Sequence, residues 1–314
     1  MKLIARLTRL TTAFILTAIL LVACQKEKSQ NTTLTDQEEE QASMYSTQAD
    51  AEADVVFNDV FDNVIGVNNE VGVEGAGVFG RTGNTGGNSS GVFSRGDSLN
   101  PANRCFTVTI QRLAPPAAFP VKIIVDFGTA CTGRDGHVRS GKIITTYTNR
   151  LIVPGAKAST TFENFYFDST HVEGTHVVTN TSTSTTPQFK IVVENAKLSR
   201  PNGNYTMWNS HKVITQIDGF GTLLFPLDDV FQIEGTANGK VKRGDVIVAW
   251  NTEIVEPLIK RFDCHWIVKG VVRVARLNIS TNSPWIGRLN YGNGICDNKA
   301  ILTINGVSHE ITLP

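Results

Sequence analysis

From Asn103 onward the chain is a succession of short segments rich in β-branched and aromatic residues. "CFTVTI", "VKIIVDF", "GKIITTYT", "STTFENFYF", "HVVTNT", "QFKIVVENA", "DVFQIEG", "DVIVAWNTEIV", "WIVKGVVRV" and "AILTING" follow one another, punctuated by Gly, Asn, Asp and Pro. Many alternate in polarity. In a strand successive side chains point to opposite faces, so Phe189, Ile191 and Val193 should face one way, with Lys190 and Glu194 on the other. Short alternating runs separated by turn residues specify hairpins. Residues 103–314 are therefore expected to form an all-β domain, an antiparallel meander of about twelve strands making a curved sheet or a sandwich. Asn305-Gly306, between "ILTI" and "VSHEITL", is the most explicit hairpin signal, because Asn-Gly favours a type I′ turn.

Four cysteines lie in this region: Cys105, Cys131, Cys264 and Cys296. An even number in an exported chain argues for disulfides, and four cysteines allow three connectivities. Internal similarity favours one of them. "RCFTVTI … VDFGTAC" and "DCHWIVKG … LNYGNGIC" each begin with a cysteine that opens a strand. Each then has a later strand ending in Asp or Asn, an aromatic, a glycine, small residues and a cysteine. Asp126-Phe127-Gly128 thus matches Asn290-Tyr291-Gly292, and the expected pairs are Cys105–Cys131 and Cys264–Cys296.

The D-F-G at 126–128 and the "GAGVFG" at Gly75–Gly80 together imitate a protein kinase. The imitation fails on context. Gly75–Gly80 lies in low-complexity sequence rather than between a strand and its successor, and no H-R-D separates it from Asp126. D-F-G reads instead as a strand end entering a disulfide-pinned turn, with Gly128 supplying the permissive backbone.

Upstream of the β region the character changes. Residues 67–102 are rich in Gly, Asn, Ser and Thr, the composition of a linker. Arg95-Gly96-Asp97 within them is a short chance-prone tripeptide. Residues 49–66 carry Ala53, Val56, Phe57, Val60, Phe61 and Val64 at the helical period. Asp50, Glu52 and Asp54 suit a helix N-terminus, and Gly66 suits its C-cap. An amphipathic helix packing its apolar stripe on the β domain is expected there. Residues 24–48 are polar, with "DQEEE" at Asp36–Glu40, and read as a flexible tether.

Residues 1–23 place Lys2, Arg6 and Arg9 before an apolar run from Ala13 to Ala23, with no acidic residue. That is the pattern of an export signal peptide, short for a membrane span. Leu21-Val22-Ala23-Cys24 resembles the lipobox of bacterial lipoproteins, which implies lipidation at Cys24 and a protein anchored to the membrane through that lipid. Lys26-Glu27 behind it resembles the surface-export signal of Bacteroidota lipoproteins, and Asp97-Ser98-Leu99 and Asp168-Ser169-Thr170 resemble the O-glycosylation motif of that group. The β region with its "DFG-x-x-C" and "YG-x-G-x-C" turns is similar to β-rich lipoproteins of Bacteroidota. The resemblance implies an outer-membrane lipoprotein, on the cell surface or the periplasmic face, and no activity comes with it.

Chemistry-bearing motifs are sparse. His137, His171, His176, His211, His265 and His309 form no metal-ligand spacing, so no metal is expected, and no cofactor motif is present. "TGRDGHVRSG" at Thr132–Gly141 reads as a solvated hairpin loop, and Asp228-Asp229 lacks calcium-loop spacing. No catalytic residue is identified. Tyr147, Phe162, Phe165, Tyr166, Phe167, Tyr205, Trp208, Trp250, Trp266, Trp285 and Tyr291 should mostly fill the core, with a few left to stack on sugar rings. Loss of residues 1–23 leaves 26 basic against 29 acidic residues, a net charge near −3, which gives no electrostatic case for nucleic acid. The expectation is a non-catalytic envelope protein that binds a ligand or partner (a glycan or an envelope protein) or serves structurally. A carbohydrate-binding accessory protein and an exported hydrolase with dispersed residues are the alternatives.

Overall fold

A computed structural model of the chain describes residues 26–27, 34–66, 105–133, 135–220 and 228–313. The elements in chain order are β1 (Lys26–Glu27), α1 (Asp36–Ile65), β2 (Thr107–Arg112), β3 (Val121–Asp126), β4 (Cys131–Thr132), β5 (Val138–Tyr147), β6 (Lys157–Phe167) and β7 (Thr170–Asn180). They continue with β8 (Gln188–Ser199), β9 (Tyr205–Asp218), β10 (Val230–Arg243), β11 (Val246–Arg261), β12 (Ile267–Arg276), β13 (Gly287–Asn293), β14 (Lys299–Ile304) and β15 (Val307–Thr312). All strands belong to one sheet. Its order runs from β15 down to β5, then β3 and β2, each strand antiparallel to its neighbour. The short β4 pairs with β5, and β1 adds in parallel to β11. This is an open meander; the second sheet that a sandwich needs is not present among the described residues. Phe189, Ile191 and Val193 are buried and Lys190 and Glu194 exposed, as the alternation requires. Asn305 and Gly306 both have positive φ, 49° and 76°, and close the β14–β15 hairpin as a two-residue turn.

The helix is longer than its apolar period suggests. It begins at Asp36, where the expected tether continues to residue 48, and ends at Gly66 in the left-handed conformation. Thr35 and Glu38 form a reciprocal capping box: the Thr35 hydroxyl accepts from the Glu38 N–H and the Glu38 carboxylate accepts from the Thr35 N–H. Asp50, Glu52 and Asp54 consequently lie in the middle of the helix, not at its start. Composition misled here because a helix enclosed by the sheet can carry polar residues, provided the sheet supplies their partners. Residues 67–102, expected as a Gly-rich linker, lie outside the described residues, as do residues 1–23.

Those partners come from every side. The Asp50 carboxylate accepts from the indole N–H groups of Trp208 (2.8 Å) and Trp250 (3.2 Å). Asp54 pairs with Lys212, Asp59 with Arg139 (2.8 Å), Asp62 with Lys260 (3.1 Å), and Glu39 with Arg276 (2.7 Å). Phe57 stacks between Trp208 and His176, and the Tyr147 hydroxyl donates to the Val64 carbonyl. One helix can meet β5, β7, β9, β11 and β12 only if the sheet curls around it. A second distance shows the same. In a flat sheet β5 and β12, seven spacings apart, would be separated by roughly 33 Å. Yet the rings of His137, just before β5, and His265, just before β12, are 5.7 Å apart.

This contact corrects the reading of Thr132–Gly141 as a solvated loop. Arg139 is buried, bridging Asp59 of α1 and Asp135 of its own loop, and His137 Nδ1 meets Asp168 at 2.9 Å. The disulfides Cys105–Cys131 and Cys264–Cys296 pin the two segments that approach each other here. The internal match between halves extends to hydrogen bonds. Gly128 N–H donates to Asp126 Oδ1 at 2.9 Å and Gly292 N–H to Asn290 Oδ1 at 2.8 Å, both glycines at positive φ. D-F-G and N-Y-G are the same side-chain-closed turn.

Candidate functional site: a cleft at one end of the sheet

In an antiparallel meander alternate connections emerge at the same end, so residues distant in sequence assemble there. The β5–β6 loop brings Ile152 and Pro154, the end of β7 brings Asn180, and the β7–β8 connection brings Ser182 to Pro187. The end of β9, the start of β10 and the residues flanking them supply Gln216, Gly219, Phe220, Asp229 and Phe231. Together with Phe189 these line a cleft of about 360 Å³, within the size range of small-molecule sites.

Local hydrogen bonds set its shape. Buried Asn180 donates from Nδ2 to the Leu151 carbonyl and accepts the Ser182 N–H on Oδ1 at 2.8 Å, tying two walls together. In "TSTSTTP" the Thr183 hydroxyl accepts from the Thr186 N–H at 3.1 Å, and the Ser182 hydroxyl accepts from the Gln188 N–H at 2.9 Å. A hydroxyl-rich strand end thus turns on its own side chains rather than on glycine. Gln216 N–H donates to the Pro187 carbonyl, and its Nε2 donates to Asp229 Oδ1 at 2.8 Å. Gly219, at φ +81°, crosses directly over this carboxyl; a Cβ there would lie 2.5 Å from Asp229 Oδ1. Asp229 is 3% exposed. Burial, reinforced by the charge of Asp228, pushes its carboxyl up to about 7. The floor is apolar, with Phe189 and Phe231 buried, and Phe220 stands on the rim at 57% exposure.

The residues singled out from sequence are distributed elsewhere. Cys24 and Asp97-Ser98-Leu99 lie outside the described residues. Lys26-Glu27 is a short strand on β11, and Glu27 pairs with Lys240 at 3.2 Å. Asp168-Ser169 forms the exposed tip of the β6–β7 hairpin, Asp168 accepting the Val138 N–H. Of the aromatics considered for sugar stacking, Tyr147, Phe165, Phe167, Trp208, Trp250 and Tyr291 are core and Tyr166 is exposed. Phe162, Tyr205, Trp266 and Trp285 are partly buried. His137 and His265 come together, their rings 5.7 Å apart, while His137 also meets Asp168, His171 lies near Glu173 and His309 near Glu40. His176 is fully buried with neither ring nitrogen hydrogen-bonded, and burial lowers it to about 3. Among the described residues no three His, Cys, Asp or Glu side chains are grouped to hold a metal.

Sequence reasoning passed over the cleft. The sequence points to Asp228-Asp229 only as a calcium-loop candidate and singles out nothing in Ser182–Pro187. The available signal was the pairing of a hydroxyl-rich turn with an acid that directly precedes a buried strand. Compared with known protein families, curated proteins and solved structures, the chain matches none.

Proposed function

We propose that this is an exported, lipid-anchored envelope protein whose β domain is a non-catalytic binding module, with the cleft between Asn180 and Asp229 as its ligand site. The cleft carries the reading: it is apolar at its floor, polar at a few fixed points, and built from loops on a rigid sheet. The lipobox-like Leu21–Cys24 supports the anchor. Because Lys26 is already paired with β11, only about 7 Å of extended chain separates Cys24 from the domain. The domain then rides close against the membrane instead of at the end of a long tether.

Phe220 on the rim and the hydroxyls of Ser182–Thr186 favour a second reading, a carbohydrate-binding accessory lipoprotein, since an exposed ring and neutral donors suit a sugar face. The hydrolase alternative calls for a buried Asp or Glu facing a histidine in a cleft. Among the described residues the cleft lining includes the buried Asp229 and no histidine.

Glycan-array and lipid-overlay screening of residues 24–314 tests the binding reading, with Phe220→Ala as the control expected to lose the signal. Binding that survives Phe220→Ala unchanged moves the site elsewhere. For the anchor, Cys24→Ala should abolish lipid labelling and release the protein from the membrane fraction. A variant that still labels and still pellets ends the lipoprotein reading.

A further inference from the structure

Five carboxylic acids are buried among the described residues: Glu39, Asp50, Asp54, Asp59 and Asp229. Four have strong partners. Arg276 meets Glu39, two indoles meet Asp50, Lys212 meets Asp54 and Arg139 meets Asp59. Among the described residues the side chain of Asp229 is met by the neutral amide of Gln216, on Oδ1, and by no cation. It is also the buried acid that lines the cleft, and among the described residues no Lys, Arg or His lines the cleft with it. A buried carboxylate without a cation is costly, and a ligand that supplies one removes the cost. Phe189, Phe220 and Phe231 line the cleft beside it, and aromatic rings attract organic cations.

Resting on the reading of the cleft as the ligand site, we infer that its ligand is an organic amine: an apolar body against the phenylalanines and an ammonium group on Asp229. Anions are disfavoured by Asp229 and the neighbouring Asp228. The charged groups around Asp229 agree. Asp218 lies across the ladder on β9, and on β11 Lys260 and Arg261 are already paired with Asp62 and Asp263.

The test uses benzylamine, its isostere benzyl alcohol, and the anion benzoate, titrated into residues 24–314 at pH 8 with NMR shifts of Thr183, Gln216 and Phe220 as the readout. The amine should bind about tenfold or more tighter than the alcohol, the strength of a charge-assisted over a neutral hydrogen bond, and benzoate should not bind. Lowering the pH through 7 should weaken the amine and leave the alcohol. The near-isosteric Asp229→Asn should erase the preference for the amine, whereas Phe220→Ala should weaken amine and alcohol alike. Equal binding of alcohol and amine at the cleft overturns the amine assignment and leaves the cleft as a ligand site. Shifts confined to residues away from the cleft, or absent for every probe, overturn both.

Discussion

Two indole N–H groups converge on one carboxylate at Asp50, in the middle of α1 and far from any chain end. Burial raises this carboxyl, and the Trp208 hydrogen bond acts against that rise. Asp50→Ala would strand two buried neutral donors at about 1–3 kcal/mol each, so we expect a loss of roughly 2–6 kcal/mol, read as the urea midpoint at constant slope. Asp50→Asn keeps an acceptor oxygen and should cost about 1 kcal/mol. Equal losses for the two would mean that the hydrogen bonds contribute nothing. His176 and Asp229 make a second, pH-dependent pair of expectations. Folded His176 sits near 3 against about 6.5 unfolded, so only the unfolded chain takes up a proton between those values. Stability from this group is complete above pH 6.5 and falls by about 1.4 kcal/mol per unit on acidification toward 3. Asp229 works in the opposite sense. Its folded value near 7 means that the folded chain holds a proton the unfolded chain has lost, so stability falls as pH rises from about 4 to 7. The cleft admits water, which makes this slope the shallower. Between pH 4 and 6.5 the two oppose each other. Urea melts across that range should show His176→Phe with a lower acid sensitivity than the parent and Asp229→Asn with a greater one. Parallel curves for all three proteins would refute both assignments.

The helix and the sheet approach each other closely at the start of β13. A Cβ on Gly287 would approach Thr47 Oγ1 to 2.5 Å and Ser43 Oγ to 3.3 Å, so the small residues of α1 and this glycine set how closely the two elements pack. Gly287→Ala should therefore destabilise by about 1–3 kcal/mol through overpacking. Thr47→Ala in the same chain removes the opposing atom and should recover part of the loss, giving a coupling energy of at least about 0.5 kcal/mol in a double-mutant cycle. Strictly additive effects would show that the helix shifts to accommodate the methyl. The capping box at Thr35 explains why the helix extends its polar first half at all: two otherwise orphaned N–H groups are satisfied before any tertiary contact forms.

Across the whole molecule, the sheet is open in its hydrogen bonding yet curled until its β5 and β12 regions touch. Each disulfide pins one side of that meeting. In the loop-entropy picture a 26- or 32-residue loop contributes about 3.5 kcal/mol, a large share of a typical stability of about 5–15 kcal/mol. Replacing Cys264 and Cys296 by Ser should lower the unfolding midpoint by that order while far-UV circular dichroism keeps its β signature. Non-reducing peptide mapping of the parent should recover both internal pairs. Peptides joining Cys105 to either late cysteine would contradict the fold.

Local physics was readable without coordinates. The alternation of Phe189–Val193, the Asn305-Gly306 turn, the Gly66 cap and the matched turns at Gly128 and Gly292 each depend on residues a few positions apart. Internal similarity also disclosed the cysteine pairs. Where partners lie far apart, the pattern fell silent. Nothing near Glu39 announces Arg276, 237 residues away, and without such a partner the acid-rich first turns of the helix are indistinguishable from a tether. The same holds for "YTMWNSHKVITQID", passed over as a strand because Asn, Ser, His and Lys dilute its apolar residues, although β9 runs through it. The curl of the sheet and the cleft follow from which strand ends meet, and that depends on many weak long-range contacts summed over the fold. Asp229 is ordinary in sequence; burial beside Asp228, with no cation against it among the described residues, makes it distinctive.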